Sequence, residues 1–135
     1  MPSETFDESS AGGTATGKRI LIVEDESMIR MLLEGMLADL GHTVAAEAGR
    51  LDEAMALARQ AEFDLALLDV NLDGEPITPV VEVLVARGLP FVFASGYGQS
   101  GVPEAFRQIT TLQKPFQIEA LAQAIDATLK QAGAG

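Results

Sequence analysis

The sequence contains no cysteine. Disulfide bonds, thiolate zinc sites and cysteine nucleophiles are therefore excluded, and the absence fits a reducing cytoplasm, where we expect the protein to reside. Basic residues are also scarce, because 9 Lys and Arg face 20 Asp and Glu and leave a formal net charge of −11. Such a chain repels phosphate backbones, so we expect no nucleic-acid partner. Its surplus of carboxylates directs attention to clusters that could bind a cation.

Long apolar segments are missing as well. No apolar run approaches the roughly 20 residues that a membrane-spanning helix requires, so we expect no membrane partner. Residues 1–17 carry three acids and no base, which does not fit a signal peptide. Their Ser, Thr, Gly and acidic composition predicts a disordered N-terminal tail. We place one folded domain at residues 18–131 and a short flexible C terminus at residues 132–135.

Short apolar segments alternate with helical patterns through the folded part. The predicted strands are residues 20–23, 43–46, 64–68, 89–94 and 109–112. The predicted helices are residues 27–40, 51–61, 77–87 and 118–130. This alternation predicts a parallel sheet with helices on both faces, a three-layer flavodoxin-like (βα)₅ fold with strand order 2-1-3-4-5.

The connection after the fourth strand departs from this regular pattern. It is short and rich in glycine, which leaves little room for a full crossover helix. We therefore expect a short or irregular fourth helix near residues 104–108. We also expect residues 97–108 to be the most mobile ordered segment.

Polar residues follow four of the predicted strands, at the edge where ligand sites form in such sheets. They are Glu24, Asp25, Asp69, Ser95 and Lys114. Each one alone has an ordinary structural explanation, such as an acid at a helix start, a cap residue or a loop residue. Together they predict phosphoryl transfer. Three clustered carboxylates repel one another unless a cation lies among them, and hard oxygen ligands select Mg²⁺. Asp69 would be the nucleophile, Lys114 would hold a phosphoryl oxygen, and Ser95 could donate a hydrogen bond to another.

The motifs that contain these residues resemble those of bacterial two-component response regulator receiver domains. The matching segments are I-L-I-V-E-D-E (20–26), L-A-L-L-D-V-N-L (65–72), F-A-S-G (93–96) and L-Q-K-P-F (112–116). The resemblance covers about residues 18–131. P-F-V-F-A-S-G-Y-G (90–98) is also similar to the PFxFATGY subgroup, which is often associated with sensor kinases of the HWE or related classes.

The resemblance implies a role for each matching residue. Asp69 would accept phosphate from a sensor histidine kinase or a histidine phosphotransfer protein. Asp25 and Asp69 would coordinate Mg²⁺ directly, Asn71 would do so through its main-chain carbonyl, and Glu24 would act through a bound water. Ser95 would turn toward the phosphoryl group, and Lys114 would match the family lysine. Pro115 would occupy the cis-proline position that follows this lysine.

One departure concerns the switch that reads out phosphorylation. Receivers usually carry an aromatic residue three positions before the lysine, where this chain has Thr111. Tyr97 could substitute for that aromatic residue, or aromatic gating could be absent.

Three functions follow from these residues. The first is a stand-alone response regulator that signals through a protein partner or a phosphorelay, and is not an enzyme beyond self-catalysed phosphotransfer and dephosphorylation. The second is an aspartyl-phosphate hydrolase of the haloacid-dehalogenase type. That chemistry needs a second Asp two residues after the nucleophile, and Asn71 stands there. The third is a phosphorylation-independent interaction domain, which the intact acidic set argues against.

Overall fold

A central sheet of five parallel strands carries helices on both faces. The computed structural model describes residues 17–96, 102, 104–106 and 108–134. The strands are β1 (Arg19–Val23), β2 (Thr43–Ala48), β3 (Leu65–Asp69), β4 (Asn71–Leu72), β5 (Glu75–Pro76), β6 (Phe91–Ser95) and β7 (Thr111–Gln113). The helices are α1 (Ser27–Asp39), α2 (Leu51–Gln60), α3 (Thr78–Arg87) and α4 (Ile118–Ala134), with a 3₁₀ turn at Glu104–Phe106.

The main sheet has the order β2-β1-β3-β6-β7, and all of its described pairs are parallel. Strands β4 and β5 form a separate antiparallel hairpin. When the hairpin is set aside, this order is the expected 2-1-3-4-5. The flavodoxin-like prediction is therefore confirmed.

Burial on both faces explains why the three central strands β1, β3 and β6 are almost continuously apolar, whereas the edge strands β2 and β7 are partly exposed. On one face Leu21, Leu68 and Phe93 pack against α2 and α3. On the other face Ile22 and Leu67 pack against α1 and α4. Parallel strands that are covered on both sides have no solvent-facing positions, so their sequences lack polar alternation. The same burial explains why α3 is helical although it is rich in valine, because its packing outweighs a weak local propensity.

Several boundaries differ from the sequence expectation. The last strand covers Thr111–Gln113 rather than residues 109–112, because its ladder with β6 starts at the pair Phe93 and Thr111. Helix α4 continues to Ala134, through most of the segment that was expected to be a flexible C terminus. Ala132 and Ala134 favour helix there, although the intervening Gly133 costs roughly 1 kcal/mol in a helix interior.

The connection between β6 and β7 contains only the short 3₁₀ turn Glu104–Phe106 within its described residues. Phe106 contacts Phe93 with ring centroids 6.1 Å apart, so the turn is anchored on the sheet. The expected mobility of residues 97–108 falls partly on residues 97–101, 103 and 107, which lie outside the described residues, as do residues 1–16 of the expected tail. Among the residues that are described, no helix is both long and apolar enough to cross a membrane.

Two glycines at helices differ in whether their backbone conformation requires glycine. Gly88 ends α3 with φ of 72°, a left-handed conformation that disfavours a side chain. Gly35 lies inside α1, and a Cβ added there would meet nothing within 4 Å. We expect Gly88→Ala to lower the free energy of unfolding by about 1 kcal/mol and Gly35→Ala to raise it by a similar amount. Urea unfolding followed by circular dichroism measures both. Equal signs for the two variants would contradict the backbone assignment.

Candidate functional site

Four parallel strands deliver polar side chains to one edge of the sheet. Glu24 and Asp25 follow β1, Asp69 ends β3, Ser95 ends β6, and Lys114 follows β7. The register aligns these ends, because Asp69 pairs with Ala94 and Ser95 pairs with Gln113. Strands that are parallel and in register end at the same edge, so residues distant in the sequence meet there.

Three carboxylates form a cluster at this edge. Glu24, Asp25 and Asp69 each offer one oxygen, and these oxygens lie within 4.8 Å of one another. Glu24 is 2% exposed and Asp69 is 8% exposed, so both are largely removed from water. Burial of charged groups is costly unless they are paired or bound to a cation. The cluster therefore requires positive charge.

Lys114 supplies part of that charge. Its Nζ lies 2.7 Å from Glu24 Oε1 and 3.2 Å from Asp69 Oδ2. Three ionised carboxylates and one ammonium leave a formal charge of −2, which a divalent cation would balance. The donors are all hard oxygens, the class that Mg²⁺ prefers, so the residues present fit this ion. Glu24, Asp25 and Asp69 are the side chains that would hold it.

Burial and mutual repulsion change the protonation of the cluster. Burial raises the pKa of Glu24 to about 7, against the hydrogen bond from Lys114, and the charge of Asp69 adds to the rise. Burial also raises the pKa of Asp69, opposed by the main-chain amide of Asn71 and by Lys114. Burial alone would lower the pKa of Lys114, but the hydrogen bond to Glu24 and the charge of Asp69 raise it overall. Lys114 is therefore held as a cation.

The β4–β5 hairpin contacts the cluster and was not predicted from the sequence. Its turn residues Asp73 and Gly74 have φ of 51° and 87°, the conformation for which Asp-Gly is favoured in two-residue hairpins. The Asp73 amide donates to Asp25 Oδ2 at 3.0 Å. The Asn71 amide donates to Asp69 Oδ1 at 3.1 Å, and its side-chain oxygen accepts from the Gly74 amide at 2.8 Å. The hairpin thus orients two of the three carboxylates.

Two of the three predicted switch residues, Ser95 and Thr111, lie within the described part of the chain. Ser95 is 1% exposed at the end of β6, and its carbonyl accepts from the Lys114 amide at 2.9 Å. Thr111 begins β7, and its hydroxyl donates to the Ile109 carbonyl at 3.2 Å. Tyr97 lies outside the described residues. The Lys114–Pro115 peptide is cis, at the position expected from the sequence.

Removal of the lysine tests the charge balance of the cluster. We expect Lys114→Met to lower the free energy of unfolding at pH 8 by about 3 kcal/mol, because two buried carboxylates lose their counter-charge. A raised carboxyl pKa means that the folded state binds a proton more tightly than the unfolded state. The deficit should therefore shrink when the pH falls from 8 to 6, and also when Mg²⁺ is added. Urea unfolding measures it, with the exposed Lys130→Met as the control. An equal deficit at both pH values would contradict this charge balance.

Comparisons with known proteins agree with this geometry. The model of the response regulator receiver domain matches residues 20–126. The transcriptional regulatory protein PdtaR of Mycobacterium tuberculosis is 36% identical over 118 residues, which are 83% of this chain and 57% of PdtaR. The chain thus spans little more than half the length of that curated relative.

Solved structures also match this chain, and the match extends over nearly the whole length of the related protein. The solution structure of SdrG from Sphingomonas melonis is 42% identical with a TM-score of 0.77, and covers 86% of this chain and 99% of SdrG. A solution structure of SdrG in its BeF3-activated conformation, from Pseudomonas melonis, is 44% identical with a TM-score of 0.72, and covers 82% of this chain and 95% of that one. With the motifs, the strand order and the acidic edge in agreement, the chain belongs to the response regulator receiver domain family.

Proposed function

We propose that Asp69 accepts a phosphoryl group from a histidine-phosphorylated protein in a Mg²⁺-dependent reaction. The observation that supports this most directly is the setting of Asp69. It is a buried carboxylate at a strand end, 3.2 Å from the Lys114 ammonium and grouped with Glu24 and Asp25. A nucleophile that must approach a negatively charged phosphoryl group needs such neighbouring positive charge.

The chain's own residues would divide the work as follows. A carboxylate oxygen of Asp69 attacks phosphorus, while the bond from phosphorus to the donor nitrogen breaks and leaves neutral histidine once that nitrogen takes up a proton. Lys114 pairs with one phosphoryl oxygen, and the Ser95 hydroxyl donates to another. Mg²⁺, when bound, would neutralise charge on the phosphoryl oxygens, with the Asn71 carbonyl and a water on Glu24 among its ligands.

A mass measurement tests the acceptor. We expect wild-type protein incubated with acetyl phosphate and Mg²⁺ to gain the mass of one phosphoryl group, and Asp69→Asn to gain none. Chelation of Mg²⁺ should prevent the gain, because the cluster then lacks its balancing charge. If wild type gains no mass, or if Asp69→Asn still does, the acceptor assignment is wrong. The first outcome would favour an interaction domain that works without phosphorylation.

The surface beside the site indicates what kind of donor fits. The largest exposed apolar side chains of α1 form a stripe at helical spacing: Met28 (74% exposed), Met31 (68%) and Leu32 (57%). Next to the stripe, a groove of about 340 Å³ runs between α1 and the loop after β7. Lys114, Pro115 and Phe116 form its far wall. An exposed apolar stripe and groove of this kind support the proposal of a protein-binding surface.

Continuity with the site supports one particular occupant of this surface. The lysine that contacts Asp69 also lines the groove, so a protein that brings a phosphohistidine to Asp69 would cover the α1 stripe. We propose that the apolar face of a donor helix packs there, as in helix-in-groove recognition. The donor would be a sensor histidine kinase or a histidine phosphotransfer protein, and its HWE class stays a prediction. A cytoplasmic location belongs to the same proposal.

A charge placed on the stripe tests this docking. We expect Met31→Glu to slow phosphotransfer from a phosphorylated histidine phosphotransfer protein by tenfold or more, on the order of a lost interface anchor. Phosphorylation by acetyl phosphate should be unchanged, because the small donor needs no docking surface. The control is Val85→Glu, which charges an exposed apolar position on α3 (63% exposed). Equal slowing by both variants, or slowing with acetyl phosphate, would contradict docking on α1.

A further inference from the structure

Arg30 connects three elements beside the acidic cluster. It lies in α1, and its side chain is 24% exposed. Its Nη1 donates to the main-chain oxygen of Glu24 at 2.5 Å, and its Nε lies 3.4 Å from Glu47 Oε1 on β2. The guanidinium therefore ties the helix to the ends of β1 and β2.

The Glu24 carbonyl that Arg30 binds lies directly after β1, between the two acidic residues. The Glu24 amide still donates to Ala48 at 3.0 Å, in continuation of the β1–β2 ladder. The Glu24 carbonyl, one step further along, accepts from the arginine. This carbonyl belongs to the planar peptide that joins Glu24 to Asp25. A fixed peptide plane constrains the directions in which both acidic side chains leave the backbone.

Gly49 provides the space for this contact. A Cβ at Gly49 would lie 2.8 Å from Arg30 Nη1 and 3.7 Å from the Glu24 carbonyl oxygen. The backbone of Gly49 does not have the left-handed φ that would itself require glycine. A side chain at this position would therefore have to displace the guanidinium.

We propose that Arg30 is a positioning residue for the phosphorylation of Asp69, which holds the Glu24–Asp25 peptide so that both carboxylates point into the cation site. The proposal rests on the Mg²⁺-dependent function proposed above. Glu47 pairs with the guanidinium and keeps it in place. Substitution of a group that orients the ligands without touching the metal typically changes metal affinity by tenfold or more.

The direction in which an Arg30 substitution changes Mg²⁺ affinity distinguishes a positioning role from a purely electrostatic one. A cation next to the acidic cluster repels Mg²⁺, so removal of its charge alone should tighten Mg²⁺ binding. Loss of the peptide's orientation should weaken binding. Arg30 therefore acts against cation binding by its charge and in favour of it by its geometry.

Isothermal titration with Mg²⁺ alone measures the outcome. We expect Arg30→Gln to weaken Mg²⁺ binding about tenfold. Arg30→Lys should recover only part of the loss, because an ammonium lacks the planar fork that makes both contacts. The control Arg50→Gln removes an exposed arginine whose pairing with Asp52 lies outside the site, and should leave the affinity unchanged. All titrations are run where urea unfolding shows each variant to be fully folded, so a change in stability alone leaves the affinity unaltered.

A double-mutant cycle tests whether Gly49 affects Mg²⁺ binding through the position of the Arg30 guanidinium. Gly49→Ala should push the guanidinium from its place and weaken Mg²⁺ binding several-fold. The same substitution in Arg30→Gln should have no further effect, because nothing is left to displace. Additive losses would show that Gly49 acts independently of Arg30.

An Arg30→Gln variant that binds Mg²⁺ as tightly as wild type, or more tightly, would overturn the positioning role. Additive losses in the cycle would overturn the effect of Gly49 through Arg30 and leave the role of Arg30 itself standing. A wild type that still forms the Asp69 adduct in either case would leave the proposed function intact. A wild type that forms no adduct and binds no Mg²⁺ would remove that function itself.

Discussion

The grouping of three carboxylates, two of them buried, beside a single ammonium is the constraint on which the site depends. Glu24 and Asp69 are nearly inaccessible to water, so their charges cost free energy that Lys114, main-chain amides and a bound cation can offset. A parallel sheet makes this arrangement possible, because strand ends from separate parts of the chain meet at one edge. The apolar layers around the strands then hold the acids at fixed separations. The core and the site are consequences of the same register.

The architecture could be predicted because its signals repeat. Continuous apolar strands and helical spacing recur along the chain, so single ambiguous elements such as the valine-rich α3 did not change the result. The four strand-end positions followed from the order of elements alone. The boundaries were less certain, because the length of β7 depends on its ladder with β6 rather than on its own residues. The PFxFATGY subgroup and the roles of the site residues stay predictions.

Two features of the site could not be read from periodic patterns. Strands β4 and β5 have two residues each, too short for an alternation of apolar and polar residues to show. The Asp73-Gly74 pair was nevertheless a usable hairpin signal. The contact of Arg30 with the Glu24 carbonyl left no such signal, because it joins a helix side chain to a main-chain atom. Contacts of this kind depend on how a helix is placed against a strand end, which only tertiary structure determines.

Lys114 is shared by Glu24 and Asp69, so it enters the charge balance of the site both before and after phosphorylation of Asp69. With a divalent cation among the three carboxylates and Lys114, the formal charges at the edge sum to zero. An aspartyl phosphate carries about two negative charges where a carboxylate carries one. In the proposed reaction, the phosphorylated domain therefore gains about one uncompensated negative charge at Asp69, whose carboxylate is buried. The signal to a partner would be this added negative charge. A hydrogen-bond donor that moves toward it, such as a hydroxyl or an amide, could respond to it, so an aromatic residue at position 111 would not be required.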